Sequence, residues 1–237
     1  WSSLETRLKA MLAGCRTVAM EYCPRGAIPY LSRVDAGTIE LVRSLGVDVV
    51  SSADLVQHCL CRWSACQVES HERASRVVDA AKDEAFDFAA AEIRAGRTVH
   101  ETDVQRRILD AFARGGLVTD HAPIVAVNAH AGDPHYVPSE RTPTLVHKGD
   151  LVLIDLWAKL DAPEAVYSDI TWVGFAGEQP APKMEEIFRI TADARDRGLA
   201  MIAQAHREGR TLKGFEVDRA VRDYIASKGY GDRFLHR

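Results

Sequence analysis

The sequence predicts an α+β fold in which an α/β segment, residues 1–68, precedes a domain over residues 69–237 built from related helix–helix–sheet halves. Three observations predict this fold. The front of the chain alternates strand, helix and strand patterns. Residues 94–116 align without gaps to residues 207–229. Residues 151–175 form two apolar strand patterns, each with an aspartate in its middle.

Composition and charge narrow the range of partners. Of the 237 residues, 46% are hydrophobic and 27% are charged, which suits a globular protein with a sizeable core. A net charge of −4 and a pI of about 6.2 indicate no nucleic-acid or anionic membrane surface. No apolar run approaches the roughly 20 residues of a membrane helix. We therefore expect neither nucleic acid nor membrane as a partner.

The cysteines favour a reducing compartment. There are five, and no secretory pattern precedes them, so we expect free thiols and a cytoplasmic protein. The stretch "HCLCRWSAC", residues 58–66, contains four possible zinc ligands, but its spacing matches no common zinc motif. Its apolar helical pattern favours buried or half-buried helix thiols instead. The chain begins at Trp1 rather than Met, so we expect an upstream segment to be missing.

The front segment reads as the end of an N-terminal α/β domain. Residues 17–22 and 47–51 have strand patterns, and the helical pattern between them, from Asp35 to Leu45, ends at Gly46. The two strands are predicted to be parallel. A connecting helix is predicted over 53–68.

The second segment opens with a long amphipathic helix from about residue 70 that ends at Gly96. The next helix is predicted to begin with a capping box formed by Thr102 and Gln105. A strand over 123–129, a polar loop and the aspartate hairpin follow. Two further helices are predicted over 183–208 and 216–228.

The internal repeat predicts a duplicated architecture. Gly96 aligns with Gly209 and Gly116 with Gly229, each displaced by 113 residues, and a long helix precedes both copies. Two unrelated helix pairs sharing a Gly-Arg-Thr turn remain an alternative. The first copy leads into strands, whereas the second leads only to residue 237, so we expect the chain to be a fragment.

Asp155 and Asp169 are costly in apolar strands unless a positive or hydrogen-bonding group meets them. In an antiparallel hairpin they can lie on one face of neighbouring strands, where two bare carboxylates repel. Divalent cations relieve that repulsion, which favours a two-metal hydrolytic site. The alternative is that each aspartate caps a turn or pairs with a buried Arg or Lys.

The loop "PH", Pro134-His135, and the strand "VYSDITWVGF" resemble motifs of the creatinase, prolidase and aminopeptidase P superfamily, which has the pita-bread fold. The resemblance covers residues 70–237. It implies that Asp155 and Asp169 are the first metal ligands and that His135 binds substrate and assists proton transfer. The terminal "FLHR" resembles a segment that implies His236 as a substrate-binding histidine.

The resemblance also implies partners. It implies two divalent metal ions, manganese first with cobalt or zinc as alternatives, and a homodimer. The substrate would be a peptide with proline beside the cleaved bond, hydrolysed by a metal-activated water. The alternatives are a creatinase-like C–N hydrolase and a non-catalytic binding module. No serine-hydrolase or nucleotide-binding motif occurs in the sequence.

Several positions depart from the superfamily pattern. The residue two after Asp155 is Trp157 where glycine is common, and Trp172 follows the Asp-Ile-Thr motif where arginine is common. We expect both tryptophans to alter the pocket walls. The remaining histidine and both glutamate ligands are absent, so the chain by itself is expected to be inactive. His130 is predicted to be a solvated loop residue.

Overall fold

The structure is a computed structural model that describes residues 3–26 and 32–234. Its contacts divide the chain into two compact units, Trp1–Val68 and Glu69–Arg237. None of the helices in the described ranges is both long and apolar enough to cross a membrane. The predicted residue His236 lies outside the described residues.

The first unit contains the predicted strand–helix–strand arrangement. Its elements are helix α1 (Leu4–Met11), strand β1 (Thr17–Met20), helix α2 (Ala36–Ser44), strand β2 (Asp48–Ser51) and helix α3 (Ala53–Leu60). Strands β1 and β2 pair in parallel, as predicted. Asp35 caps α2 by accepting a hydrogen bond from the Thr38 N–H group at 3.0 Å.

The prediction of a single connecting helix over residues 53–68 was wrong. Helix α3 ends at Leu60, and helix α4 (Ala65–Arg94) begins after a break at residues 61–64. The break coincides with a cap: the Ser64 N–H group donates to Gln67 Oε1 at 2.8 Å, and the Gln67 N–H group donates back to Ser64 Oγ at 3.3 Å. The prediction of buried or half-buried helix thiols was also wrong, because Cys59, Cys61 and Cys66 are all exposed.

The second unit begins with a helix pair. Helix α4 is followed by helix α5 (Glu101–Arg114), and Gly96 between them has φ +68°, a conformation that glycine adopts without strain. The predicted capping box was wrong. The cap is made by His100, whose N–H group donates to Asp103 Oδ2 at 2.9 Å, whereas Gln105 donates to the Pro123 carbonyl at 2.6 Å.

A four-stranded antiparallel sheet packs on this helix pair. Its strands are β3 (Leu117–Val118), β4 (Ile124–Val127), β5 (Leu151–Leu160) and β6 (Ser168–Phe175). Strand β5 is central: β3, β4 and β6 all pair with it, and β4 and β6 lie on its opposite edges. Every second residue of β5 is buried against the helices, namely Val152, Ile154, Leu156 and Ala158.

The internal repeat is present in three dimensions. Helices α6 (Pro182–Arg207) and α7 (Gly214–Ser227) form a second pair, and the bounds of α7 are those of α5 displaced by 113 residues. The cap recurs as well, since the Lys213 N–H group donates to Glu216 Oε2 at 2.7 Å. Gly209 has φ +63°, close to the value at Gly96. The two helix pairs are therefore copies of one structural unit.

Candidate active site

The two strand aspartates lie on one face of the sheet. Asp155 pairs in register with Thr171, and Trp157 pairs with Asp169, so the carboxylates are diagonal neighbours on β5 and β6. This face is the one turned away from Ile154 and Leu156, which pack on the helices. The strand register thus brings the predicted pair together, 14 residues apart in sequence.

The electrostatics of the pair are unfavourable for two bare carboxylates. Partial burial raises the pKa of Asp169 above its ordinary value, and the charge of Asp155 raises this pKa further. Asp155 accepts a hydrogen bond from Thr171 Oγ1 at 2.6 Å, which orients its carboxylate. No lysine or arginine ion pair within the described ranges involves either aspartate. Either a bound proton or a bound cation would relieve the repulsion between the two carboxylates.

The two tryptophans have different positions. Trp157 lies on the carboxylate face beside Asp169, and its indole N–H group donates to Asp120 Oδ1 at 2.9 Å. The prediction that Trp172 forms a pocket wall was wrong. Trp172 pairs with Ile154 on the helix-facing side, where the Lys82 ammonium lies 4.3 Å from its ring centre.

The loop that carries His135 follows β4 directly. Asn128 begins the loop with φ +50°, a left-handed conformation that asparagine tolerates better than most residues. Its side chain accepts from the Leu151 N–H group at 3.0 Å and donates to Asp150 at 2.7 Å. The His135 N–H group donates to Asp133 Oδ1 at 2.9 Å. The loop is thereby anchored to the start of β5, the strand that contains Asp155.

His130 lies in the loop with 39% of its side chain exposed, so the prediction of a solvated loop residue was right about exposure but missed the contacts of the ring. The ring of His130 stacks on Tyr136 with centroids 4.1 Å apart, and its Nδ1 lies 3.1 Å from a carboxylate oxygen of Glu101. Glu101 is completely buried at the start of α5. Its other oxygen accepts from the Tyr136 hydroxyl at 2.5 Å. Burial, with the Glu101 carboxylate second, raises the pKa of Tyr136.

Comparison with known proteins identifies the family. Residues 69–237 match the metallopeptidase family M24. The chain belongs to this family. Its relatives and structural neighbours place it in the creatinase, prolidase and aminopeptidase P superfamily.

Two relatives show the level of similarity. The uncharacterized peptidase YqhT of Bacillus subtilis is 30% identical over 80% of this chain and 48% of its own length. The Xaa-Pro dipeptidase of Pyrococcus furiosus is 31% identical over 72% of this chain and 44% of its own length. The chain therefore spans about half the length of these relatives.

The fold agrees with a solved structure. The prolidase from Pyrococcus furiosus matches with a TM-score of 0.61 at 21% identity, over 100% of this chain and 62% of that chain. The mixed helix and strand architecture is thus that of the pita-bread fold, as predicted. The M24 family implies dependence on divalent metal ions.

The described residues of this chain supply only part of a site for a divalent metal ion. Asp155 and Asp169 offer hard oxygen donors on one face, and their mutual repulsion is what a cation would relieve. The described residues contain no group of three or more histidine, cysteine or carboxylate side chains placed to hold a metal ion. That result gives no support to the zinc alternative at residues 58–66.

Sequence reasoning missed Glu101 and Tyr136. Glu101 shares the apolar face of α5 with Val104 and Ile108, at helical spacings of three and seven. A carboxylate on the buried stripe of an amphipathic helix was the available signal. Tyr136 gave no such signal beyond standing next to His135.

Proposed function

We propose that this chain carries part of the active site of a metal-dependent peptidase that hydrolyses peptide bonds next to proline. The observation that supports it most is the Asp155–Asp169 pair, which shares one sheet face and lacks a neutralising cation among the ion pairs of the described residues. Membership of the M24 family and relatives named as Xaa-Pro dipeptidases support the substrate class.

Asp155 and Asp169 would hold the metal through carboxylate oxygens, with the Thr171 hydroxyl keeping Asp155 oriented. A pair of bound divalent ions, manganese first, would supply Lewis acidity and a hydroxide formed from water near neutral pH. Two carboxylates are too few for such a pair, so we expect the other ligands outside the described residues.

His135 would contact the substrate. Its loop is anchored by Asn128 at one end and by Asp133 next to the histidine, so the imidazole would be presented to the substrate with little loss of conformational entropy. At that position it would donate a hydrogen bond to the scissile carbonyl or transfer a proton to the leaving amine. His236 is proposed, on the superfamily resemblance alone, as a second histidine on the substrate side.

The pocket wall beside the metal would be Trp157. The indole is fixed by Asp120 and stands opposite Asp169 on the neighbouring strand. A large flat side chain at that point would contact the substrate and narrow the space around it. We expect this residue to shape the preference for side chains, while the aspartates set the reaction.

The test uses the full-length product of the gene that encodes this chain. The protein is assayed with Xaa-Pro dipeptides, longer peptides with proline second, matched alanine peptides and creatine, before and after chelation. We expect hydrolysis of the proline peptides, loss of activity on chelation and recovery with Mn²⁺. Hydrolysis of creatine alone would favour the C–N hydrolase. No hydrolysis of any of these by the metal-loaded protein would favour a binding module and overturn the proposal.

Two further expectations accompany this function. A homodimer and a cytoplasmic location are both proposed from the sequence alone, the first through the superfamily resemblance and the second through the odd number of cysteines. Sedimentation of the full-length product would test the dimer.

A further inference from the structure

A buried carboxylate, that of Glu101, contacts the loop that contains His135. Glu101 is the first residue of α5, and its side chain is only 1% exposed. Its position on the apolar face, in line with Val104 and Ile108, leaves it no access to solvent. A buried carboxylate is unfavourable unless hydrogen bonds compensate for the lost hydration. Its partners therefore indicate what the residue does.

Three groups contact the Glu101 carboxylate from the end of β4 and the loop after it. One oxygen accepts from the Val127 N–H group at 2.7 Å and faces His130 Nδ1 at 3.1 Å. The other oxygen accepts from the Tyr136 hydroxyl at 2.5 Å. These partners lie before the loop, within it and directly after His135. Glu101 thus ties together the segment 127–136.

The helix itself does not require this carboxylate. In the second copy of the repeat, the position that corresponds to Glu101 is Gly214, and α7 nevertheless has the same length and the same cap as α5. The cap contacts are His100 with Asp103 in one copy and Lys213 with Glu216 in the other. The cap and the length of the helix therefore do not explain Glu101, whereas its contacts with segment 127–136 do.

Packing alone does not explain the residue either. A hydrophobic side chain of similar volume often replaces a buried charge with little loss of stability, or with a gain. The rings of His130 and Tyr136 stack within the loop, and the Glu101 carboxylate contacts a polar atom of each of these side chains. The three contacts, one to a backbone N–H group and two to side chains, are made on either side of His135 in the sequence.

We propose that Glu101 is a positioning residue that holds the 128–136 loop so that His135 meets the substrate. This inference rests on the proposed peptidase function for the role of His135. It adds a residue that acts through Val127, His130 and Tyr136 and not through the two aspartates.

The experiment is a double-mutant cycle in the full-length gene product, with kcat and KM for an Xaa-Pro dipeptide, metal content and thermal stability as readouts. Glu101→Gln keeps the volume and replaces one accepting oxygen by an NH₂ group, so the side chain no longer accepts from both Val127 and Tyr136. We expect kcat/KM to fall about 10- to 100-fold, the effect of a small misplacement of a reacting group. Metal content should not change.

The cycle separates positioning from a general structural effect. In a His135→Ala background, Glu101→Gln should change kcat/KM by less than about twofold, because Glu101 affects the reaction only by positioning the His135 side chain. Equal penalties in both backgrounds would overturn the inference. Glu92→Gln is the matched control, since this carboxylate pairs with Arg97 at 2.6 and 2.7 Å outside the loop. We expect this control to leave kcat/KM unchanged. Tyr136→Phe removes the same hydrogen bond from the other side if Glu101→Gln fails to fold.

A second readout distinguishes this inference from the proposed function. Absence of peptide hydrolysis in the wild type would count against the peptidase, and hydrogen exchange then decides the role of Glu101. We expect the amides of 129–136 to exchange at least about tenfold faster in Glu101→Gln, with the protection of β5 unchanged. Unchanged exchange in the loop would overturn the inference.

Discussion

Replacing Asp169 by asparagine is expected to stabilise the metal-free protein at neutral pH. Asp169 has a raised pKa because it is partly buried and faces the charge of Asp155. Its ionised form is therefore less favourable in the folded protein than in the unfolded chain. Asparagine has the same shape and carries no charge, so it removes both the desolvation and the repulsion.

The magnitude follows from the strand register. Diagonal neighbours on adjacent strands lie about 7 Å apart, where two unit charges repel by about 0.6 kcal/mol in water and about 2.4 kcal/mol at an effective permittivity of about 20. Asp169 is only partly buried and most of its surface meets solvent, so water screens the repulsion between the two carboxylates. We expect a gain in the free energy of unfolding of about 0.5–1 kcal/mol.

The raised pKa of Asp169 determines how the free energy of unfolding changes with pH. A carboxyl group whose pKa is higher when folded binds its proton more tightly in the folded state, so the free energy of unfolding falls as the pH rises through the interval between the two values. The ordinary value is 3.8, and the folded value of Asp169 lies above it. The advantage of the Asp169→Asn variant should therefore be complete at neutral pH and vanish below about pH 3.8.

Urea unfolding of the metal-free full-length gene product at several pH values measures this difference. Asp161→Asn, in the turn of the same hairpin, is the matched control for removing one exposed carboxylate. We expect this control to change stability by less than about 0.5 kcal/mol. A destabilised Asp169→Asn variant at neutral pH, or an advantage that persists unchanged in acid, would refute the reasoning.

Four further substitutions test the site and the fold. His135→Ala should lower kcat/KM for an Xaa-Pro dipeptide by about 10²- to 10⁴-fold with metal content unchanged, and a wild-type rate would contradict its role. Gly174→Ala should destabilise the protein by about 1–3 kcal/mol in urea, because an added Cβ would lie 2.8 Å from Phe86 Cε1; Phe86→Leu in the same chain should recover part of the loss. Gly96→Ala and Gly209→Ala should each cost about 1–2 kcal/mol, since both glycines are left-handed; unequal losses would argue that the two turns are not equivalent.

Much of the fold was predictable because its signals are periodic. The 113-residue repeat located both helix pairs, and alternation with two aspartates located the hairpin. The break between α3 and α4 was missed because the apolar pattern runs through it, while the Ser64–Gln67 cap decides where α4 begins. The start of α5 was misplaced because two overlapping pairs of capping residues, His100 with Asp103 and Thr102 with Gln105, compete within six positions.

The site was predictable to the extent that strand parity determines it. Asp155 and Trp157 are two residues apart and share a face, whereas Asp169 and Trp172 are three apart and lie on opposite faces. The same parity would have placed Trp172 correctly. The role of Glu101 could not be read from the sequence, because its partners lie 26 to 35 residues further along the chain. Only the packed loop brings them together.

The central claim is that Asp155 and Asp169 are metal ligands, and metal content tests it most directly. The full-length gene product and its Asp169→Asn variant are purified identically, equilibrated with Mn²⁺, desalted and measured by elemental analysis, with Asp161→Asn as control. We predict that the wild type and the control retain bound metal and that Asp169→Asn loses it. Equal metal content in all three proteins would contradict the account.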